Sequence, residues 1–183
     1  MPKWNRDEIE AAFDHYRNTT NECGSTGDWN PFVDLFTTDA TYIDHVLGTH
    51  TGREAIRAFI VPTMAVFPAK LMTSFRLGWH VVDCERGWVV CAMYNQLTDP
   101  GDGTVFEAPN WTVLHYAGDN LWSCEEDNYS PFEIAQAVTE WGRHARGLDT
   151  PLDDDVVAGL AALDSSVAGA VDDARTTVAP GHG

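Results

Sequence analysis

Aspartates and tyrosines are of a type that can move protons, and Asp44, Asp127 and Tyr16 are three whose surrounding pattern can be read. Asp44 lies in a run of strand formers, Thr41 to Leu47, where alternation puts Tyr42, Asp44 and Val46 on one face and Ile43, His45 and Leu47 on the other. Asp127 shares a face with Glu125 and Tyr129 in the run Leu121 to Tyr129. A carboxyl group held in an apolar cavity is desolvated, which raises its pKa toward a value useful near neutrality. Two such acids in unlike surroundings can divide the acid and base roles. Tyr16 sits on the apolar stripe of an N-terminal helix, where its phenol either polarises a carbonyl or is satisfied locally as a core residue. Asp44 has the plainer alternative of a rim carboxylate binding a nearby His or backbone amide, and Asp127 that of an acidic strand end before a helix cap.

His45, His50, His80 and His115 are further potential bases. No helical His spacing or Cys pair supports a metal site, and there is no GxGxxG, phosphate-cradling Gly-Lys or GxSxG motif. The chemistry is therefore expected to need no cofactor.

The elements that hold these residues follow from pattern. Asn5 and Glu8 fit a capping box for a first helix, Arg6 to Thr20, with Ile9, Ala12, Phe13 and Tyr16 on one stripe. Asn30 and Pro31 predict a short second helix to Phe36, with Trp29 stapling its entrance. Thr51 and Glu54 form a second capping box for a helix carrying Ile56, Phe59 and Ile60, which Pro62 kinks or ends. From Leu71 the period becomes two. Phe75, Leu77, Trp79 and Val81 fall on one face of a long strand, and Val89, Cys91, Met93 and Asn95 on one face of the next. The breaks at Glu85 to Gly87, Asp99 to Gly103 and Ala117 to Asn120 are short and turn-rich, which predicts hairpins and an antiparallel sheet. Ser130, Pro131 and Glu133 then start a last core helix through Trp141.

The length of 183 residues suits a single domain. Residues 1–146 read as that domain, and 147–183 as an acidic, Ala/Val/Asp-rich extension. Within the extension Val156, Leu160, Leu163, Val167 and Val171 keep helical spacing, so a docked amphipathic helix and disorder are both open, and Thr176 to Gly183 has little to order it. The net charge of -17 repels phosphate, which argues against nucleic acid and anionic membrane surfaces as partners. No apolar run approaches the length of a membrane span, and no export signal is read at the start. The four cysteines lack ligand spacing, so free thiols in a cytoplasmic protein are expected.

The stretch from Leu35 to Gly48, "LFTTDATYIDHVLG", followed by "TGREAIRAF" from Thr51 to Phe59, resembles the nuclear transport factor two-like superfamily, in particular its SnoaL-like group. The resemblance spans roughly Arg6 to Arg146. It implies an α+β fold in which a cone-shaped, curved antiparallel (mixed) sheet is wrapped by three N-terminal helices around an apolar pocket for a small ligand. Relatives include ketosteroid isomerases, polyketide cyclases, limonene-epoxide hydrolases and scytalone dehydratases, many of them homodimers, and also subunits without chemistry. By resemblance Asp44 stands at the proton-shuttling carboxylate of the isomerases and Tyr16 at their oxyanion-stabilising tyrosine. Asp127 stands where the hydrolases and cyclases hold a catalytic aspartate. Where the isomerases carry a protonated acid, the segment Ala108 to Leu114 has none, and Asn110 or Thr112 offers a weaker hydrogen bond. The arginine of the epoxide hydrolases has no clear match. The expected pocket wall is Tyr42, Phe59, Trp79 and Met93, with Asn95, Asn110, Thr112 and His115 as its polar probes. An acid/base enzyme acting on a small apolar or polycyclic carbonyl-type molecule is one expectation; a non-catalytic binding or assembly module is the other.

Overall fold

The computed structural model describes residues 3–164. Helix α1 spans Arg6–Thr26, six residues beyond the predicted end, because its inward stripe continues through Thr20 to Cys23; Gly24 stays helical where a Cβ would lie 2.8 Å from the Thr73 carbonyl, and Gly27, with a φ of 77°, closes the helix. Asn5 caps it by accepting from the Asp7 amide, while Glu8 accepts from the Tyr116 hydroxyl instead of completing a capping box. Helix α2 is shorter than predicted, Asn30–Val33, and Trp29 holds the capping position in place of Asn30. The reason lies in the sheet: Phe36 is recruited into strand β1 (Phe36–Asp44), where it pairs with Trp122.

Strand β2 (Gly48–Thr51) pairs back on β1, and helix α3 (Arg53–Met64) follows. Gly52 caps α3 with a φ of 94° and no side-chain bond, so the box of Thr51 and Glu54 does not form, and the helix runs two residues past Pro62. Strands β3 (Met72–Asp83), β4 (Trp88–Leu97), β5 (Glu107–Gly118) and β6 (Leu121–Tyr129) form the predicted meander. The positive φ values of Asp119 and Asn120 make the last of its tight turns. The sheet order is β2-β1-β6-β5-β4-β3, and it is mixed, since β1 runs parallel to β6 while every other neighbour is antiparallel. Short-range turn signals cannot reveal that pairing, because β1 and β6 are joined through the rest of the fold.

A bulge in β3 changes which side chains face inward. Leu77 pairs with Met93 and Trp79 with Ala92, leaving Gly78 as the extra residue. Before the bulge Phe75 and Leu77 pack on the core; after it Val82 packs inward while Trp79 and Val81 turn to solvent. Gly78 is required there, since a Cβ would lie 2.8 Å from the Tyr94 ring.

Helix α4 (Pro131–Gly147) starts as predicted, with Ser130 accepting from the Glu133 amide. The chain then turns back into helix α5, residues 154–164. Val156 and Leu160 join a core cluster with Val138, Trp141 and Ala145. Leu160 lies in a notch left by Gly142, where a Cβ would come within 2.5 Å of it. Lys70 ties the start of α5 down through Asp153 at 3.0 Å and Asp155 at 2.9 Å. Val167, Val171 and Thr176 to Gly183 lie outside the described residues. Among the described residues no helix is long and apolar enough to cross a membrane.

Candidate active site

The parallel register of β1 and β6 sets Tyr42 beside Glu125 and Asp44 beside Asp127, and the antiparallel register of β5 sets Thr112 opposite Asp127 and Asn110 opposite Tyr129. Alternation turns all of these side chains to the concave face. The result is a set of phenol and carboxyl pairs: Tyr16 donates to Glu125 at 2.8 Å, Tyr42 to Asp127, and Tyr129 to Asp44 at 3.0 Å. Asp127 also accepts from Thr112 at 2.6 Å and from Asn110 at 2.9 Å, so its charge is held by neutral donors alone. Asp44 is held differently, accepting the Val46 and Leu47 amides at 2.8 and 2.7 Å.

These groups line a cavity of about 380 Å³, within the usual range for small-molecule sites. Its apolar walls include Trp29, Phe32, Phe59, Phe75 and Met93. It opens beside Val46, Leu47 and Val66, each about half exposed. Helix α4 contributes Ile134 and α5 contributes Leu163 to the lining.

Burial dominates the electrostatics. It pushes the Glu125 carboxyl well above the ordinary carboxylate range, and the neighbouring charge of Asp127 adds to the effect. Asp127 is also raised by burial, but Thr112, Tyr42 and Asn110 pull against the rise by bonding its ionised form. Burial thus raises both acids, while Asp127 is the better supplied with donors to its ionised form. Burial first, and the nearby acids second, raise the Tyr16 and Tyr42 phenols, so both act as donors and not as phenolates. The Cys91 thiol, close to the same acids, is pushed up to about 12 chiefly by burial and stays protonated.

Of the residues expected at the site, Asp44, Asp127, Tyr16, Tyr42 and Phe59 line this cavity, as do Met93, Asn95, Asn110 and Thr112. Trp79 and His115 do not. Trp79 is 46% exposed on the outer face, edge-on to Trp111, because the bulge at Gly78 reverses its side. His115 alternates with the buried Leu114 and stacks on Trp88 at 4.3 Å, again on the outer face. Trp88 and Trp111 are likewise outside, with Trp111 59% exposed. His45 pairs with Glu126 at 2.7 Å away from the cavity, and His50 stacks on Phe59 at 3.9 Å. Tyr16 faces inward, but its hydroxyl hydrogen is committed to Glu125. Glu125, only 2% exposed, is a site residue that the sequence reading does not single out, although its alternation with Asp127 is the signal that points to it.

The profile of the SnoaL-like domain matches residues 16–123. No curated protein matches the sequence. Among solved structures, a hypothetical protein with a ketosteroid isomerase-like fold from Catenulispora acidiphila, in complex with trimethylamine, is 22% identical, with a TM-score of 0.53 over 67% of this chain and 90% of that one. The epoxide hydrolase/cyclase-like enzyme SalBIII, of pyran ring formation in polyether salinomycin, is 19% identical, with a TM-score of 0.53 over 70% of this chain and 95% of that one. An NTF2-like protein from Anabaena variabilis is 16% identical, with a TM-score of 0.51 over 71% and 95%. At these identities the likeness establishes the fold.

Proposed function

The chain belongs to the SnoaL-like domain family, and from that premise we propose that its cavity is the active site of a cofactor-independent acid/base enzyme. The substrate is a small, mainly apolar molecule that is isomerised, cyclised, hydrated or dehydrated. One observation carries the reading: Asp127 is a buried carboxyl fixed by Tyr42, Thr112 and Asn110, with the buried carboxyl of Glu125, raised by that burial, two residues away on the same strand face.

In this mechanism Asp127 is the base. It removes a proton from a carbon beside a carbonyl, or from a water whose oxygen adds to the substrate. Glu125 is the acid, giving its proton to the oxygen that gains electron density or leaves. After one turn Asp127 holds a proton and Glu125 a charge, and a proton passing between these neighbours resets the pair. Tyr16 is a positioning residue that orients Glu125, and Asp44 orders the mouth through the Val46 and Leu47 amides. General acid/base catalysis of this kind is worth about 10²–10⁴ in rate.

The test is proton exchange in D₂O with a panel of cyclic ketones, β,γ-unsaturated ketones and alicyclic epoxides, followed by NMR. Wild type is expected to turn over at least one, and Asp127→Asn to lose about 10²–10⁴ of that rate while binding the same compound within a few-fold. Binding without turnover by wild type, unchanged in Asp127→Asn, would establish the non-catalytic binding module instead.

The outer sheet face supports a homodimer, since Trp79, Trp111 and Val81 are about half exposed there. Trp111→Arg is expected to yield monomers by sedimentation. The free thiols Cys23, Cys84, Cys91 and Cys124 suit the cytoplasm.

A further inference from the structure

The charge facing the cavity is one-sided. Its described lining carries Asp44, Glu125 and Asp127 and no Lys, Arg or His. The hydrogen-bond partners of these carboxyl groups are neutral: a phenol, a hydroxyl, an amide or a backbone N–H. Carboxylates withdrawn from water without a counter-cation are costly, and the cost falls sharply when a cation is brought to them.

The acids are not fully satisfied by the fold either. Glu125 is 2% exposed and its Oε2 has no hydrogen-bond partner. Asn110 is 8% exposed; its amide nitrogen serves Asp127 and Thr112, which leaves its Oδ1 an acceptor without a donor. The orientation of that amide is fixed, because a carboxylate can only accept. Of the unsatisfied atoms at the cavity floor, Asn110 Oδ1 can only accept, and Glu125 Oε2 accepts once Glu125 has given up its proton, so both match a ligand that brings donors and positive charge.

The walls agree. Tyr16, Trp29, Phe32, Tyr42 and Phe59 line the cavity, and aromatic rings attract cations. The net charge of -17 draws cations toward the molecule and repels anions.

We propose that the ligand of this cavity is an apolar molecule with a basic nitrogen, bound as an ammonium or iminium ion, its charged end toward Glu125 and Asp127 and its hydrocarbon body among the rings. The proposal rests on the cavity being the active site and narrows its substrate class: the carbonyl or imine carbon that Asp127 acts beside belongs to an amine-bearing molecule. A fatty acid, an acyl phosphate or any other anion is excluded from it.

Three probes of one shape test this by calorimetry on the full chain at pH 7: 1-adamantanamine, 1-adamantanol and 1-adamantanecarboxylate. The amine is expected to bind at least tenfold more tightly than the alcohol, and the carboxylate not to bind at millimolar concentration. The preference for amine over alcohol is expected to collapse to within threefold in Asp127→Asn and in Glu125→Gln, tested separately so that one misfolded variant leaves the other. Alcohol binding equal to or tighter than amine binding in wild type, or binding of the carboxylate, overturns the proposal, as does a preference that survives both variants. The two readings fail apart: turnover of neutral ketones with alcohol-selective binding sinks the amine and keeps the enzyme, and amine-selective binding with no turnover of amine-bearing ketones does the reverse.

Discussion

The hydroxyl of Tyr16, on the first helix, donates to Oε1 of Glu125, on the last strand, at 2.8 Å across 109 residues of sequence. The other oxygen of this carboxyl group is unpaired. The bond fixes the proton donor of the site and ties α1 to the sheet.

Tyr16→Phe is therefore expected to destabilise the protein by about 1–3 kcal/mol, the penalty for leaving a buried polar group without its partner. It should also raise the Glu125 pKa further, because the Tyr16 bond is among the influences that lower it. Urea denaturation checks the first effect. A fall in kcat with little change in KM checks that Tyr16 acts through Glu125; an equal rise of KM would mark a purely structural role.

The pattern of apolar residues made the helices, the meander and the inward faces of β1, β4 and β6 legible, because each depends on alternation or capping within a few residues. Asp44 and Asp127 were legible for the same reason. What was hidden depends on pairings across the fold. The parallel contact of β1 with β6 places Tyr42 against Asp127, and no local signal announces it. The bulge at Gly78 sends Trp79 outward, since one unpaired residue reverses a two-residue period. Glu125 looked like one more acid in Glu125-Glu126-Asp127; only its burial distinguishes it from Glu126, which meets His45 on the other face.

Glu125→Gln should alter the dependence of stability on pH. Burial raises the folded-state pKa of Glu125 above its ordinary value of 4.5, so the folded chain holds a proton that the unfolded chain releases. The stability this group contributes is full below about pH 4.5 and is lost as pH rises toward its folded pKa. Wild type should accordingly weaken from pH 5 upward relative to the variant, by about 1.4 kcal/mol for each unit of separation between the two pKa values. Urea midpoints from pH 4.5 to 8 measure it. Parallel curves for the two proteins would show that Glu125 is not held protonated.

Thr112→Val removes the donor 2.6 Å from Asp127 Oδ1 and is close to isosteric. That bond lowers the Asp127 pKa against the effect of burial, so its loss raises it. Since Asp127 must be ionised to act as base, the acid limb of the kcat/KM profile should move to higher pH, with the rate at pH 5 falling several-fold more than the rate at pH 8. A uniform loss at all pH values would separate Thr112 from the ionisation of Asp127.

Helix α5 lies beyond the residues the family profile matches, yet it supplies Leu163 to the cavity wall, and its Gly159 packs on Phe67, another lining residue, where a Cβ would approach to 2.3 Å. Its hold is mainly apolar: Leu160 is 2% exposed, whereas the pairs of Lys70 with Asp153 and Asp155 and of Arg146 with Asp164 are solvent-facing and worth little each. Leu160→Ala should cost about 2–5 kcal/mol in the docking of α5, as expected for a large-to-small change in a closed notch. The loss should appear as faster amide exchange confined to residues 154–164 and to the Phe67 segment facing them. The affinity for 1-adamantanamine should fall with it, as Leu163 leaves the wall. Lys70→Ala, by contrast, should leave both measurements nearly unchanged, and the opposite ranking of the two variants would show that charge, not the Gly142 notch, holds the helix in place.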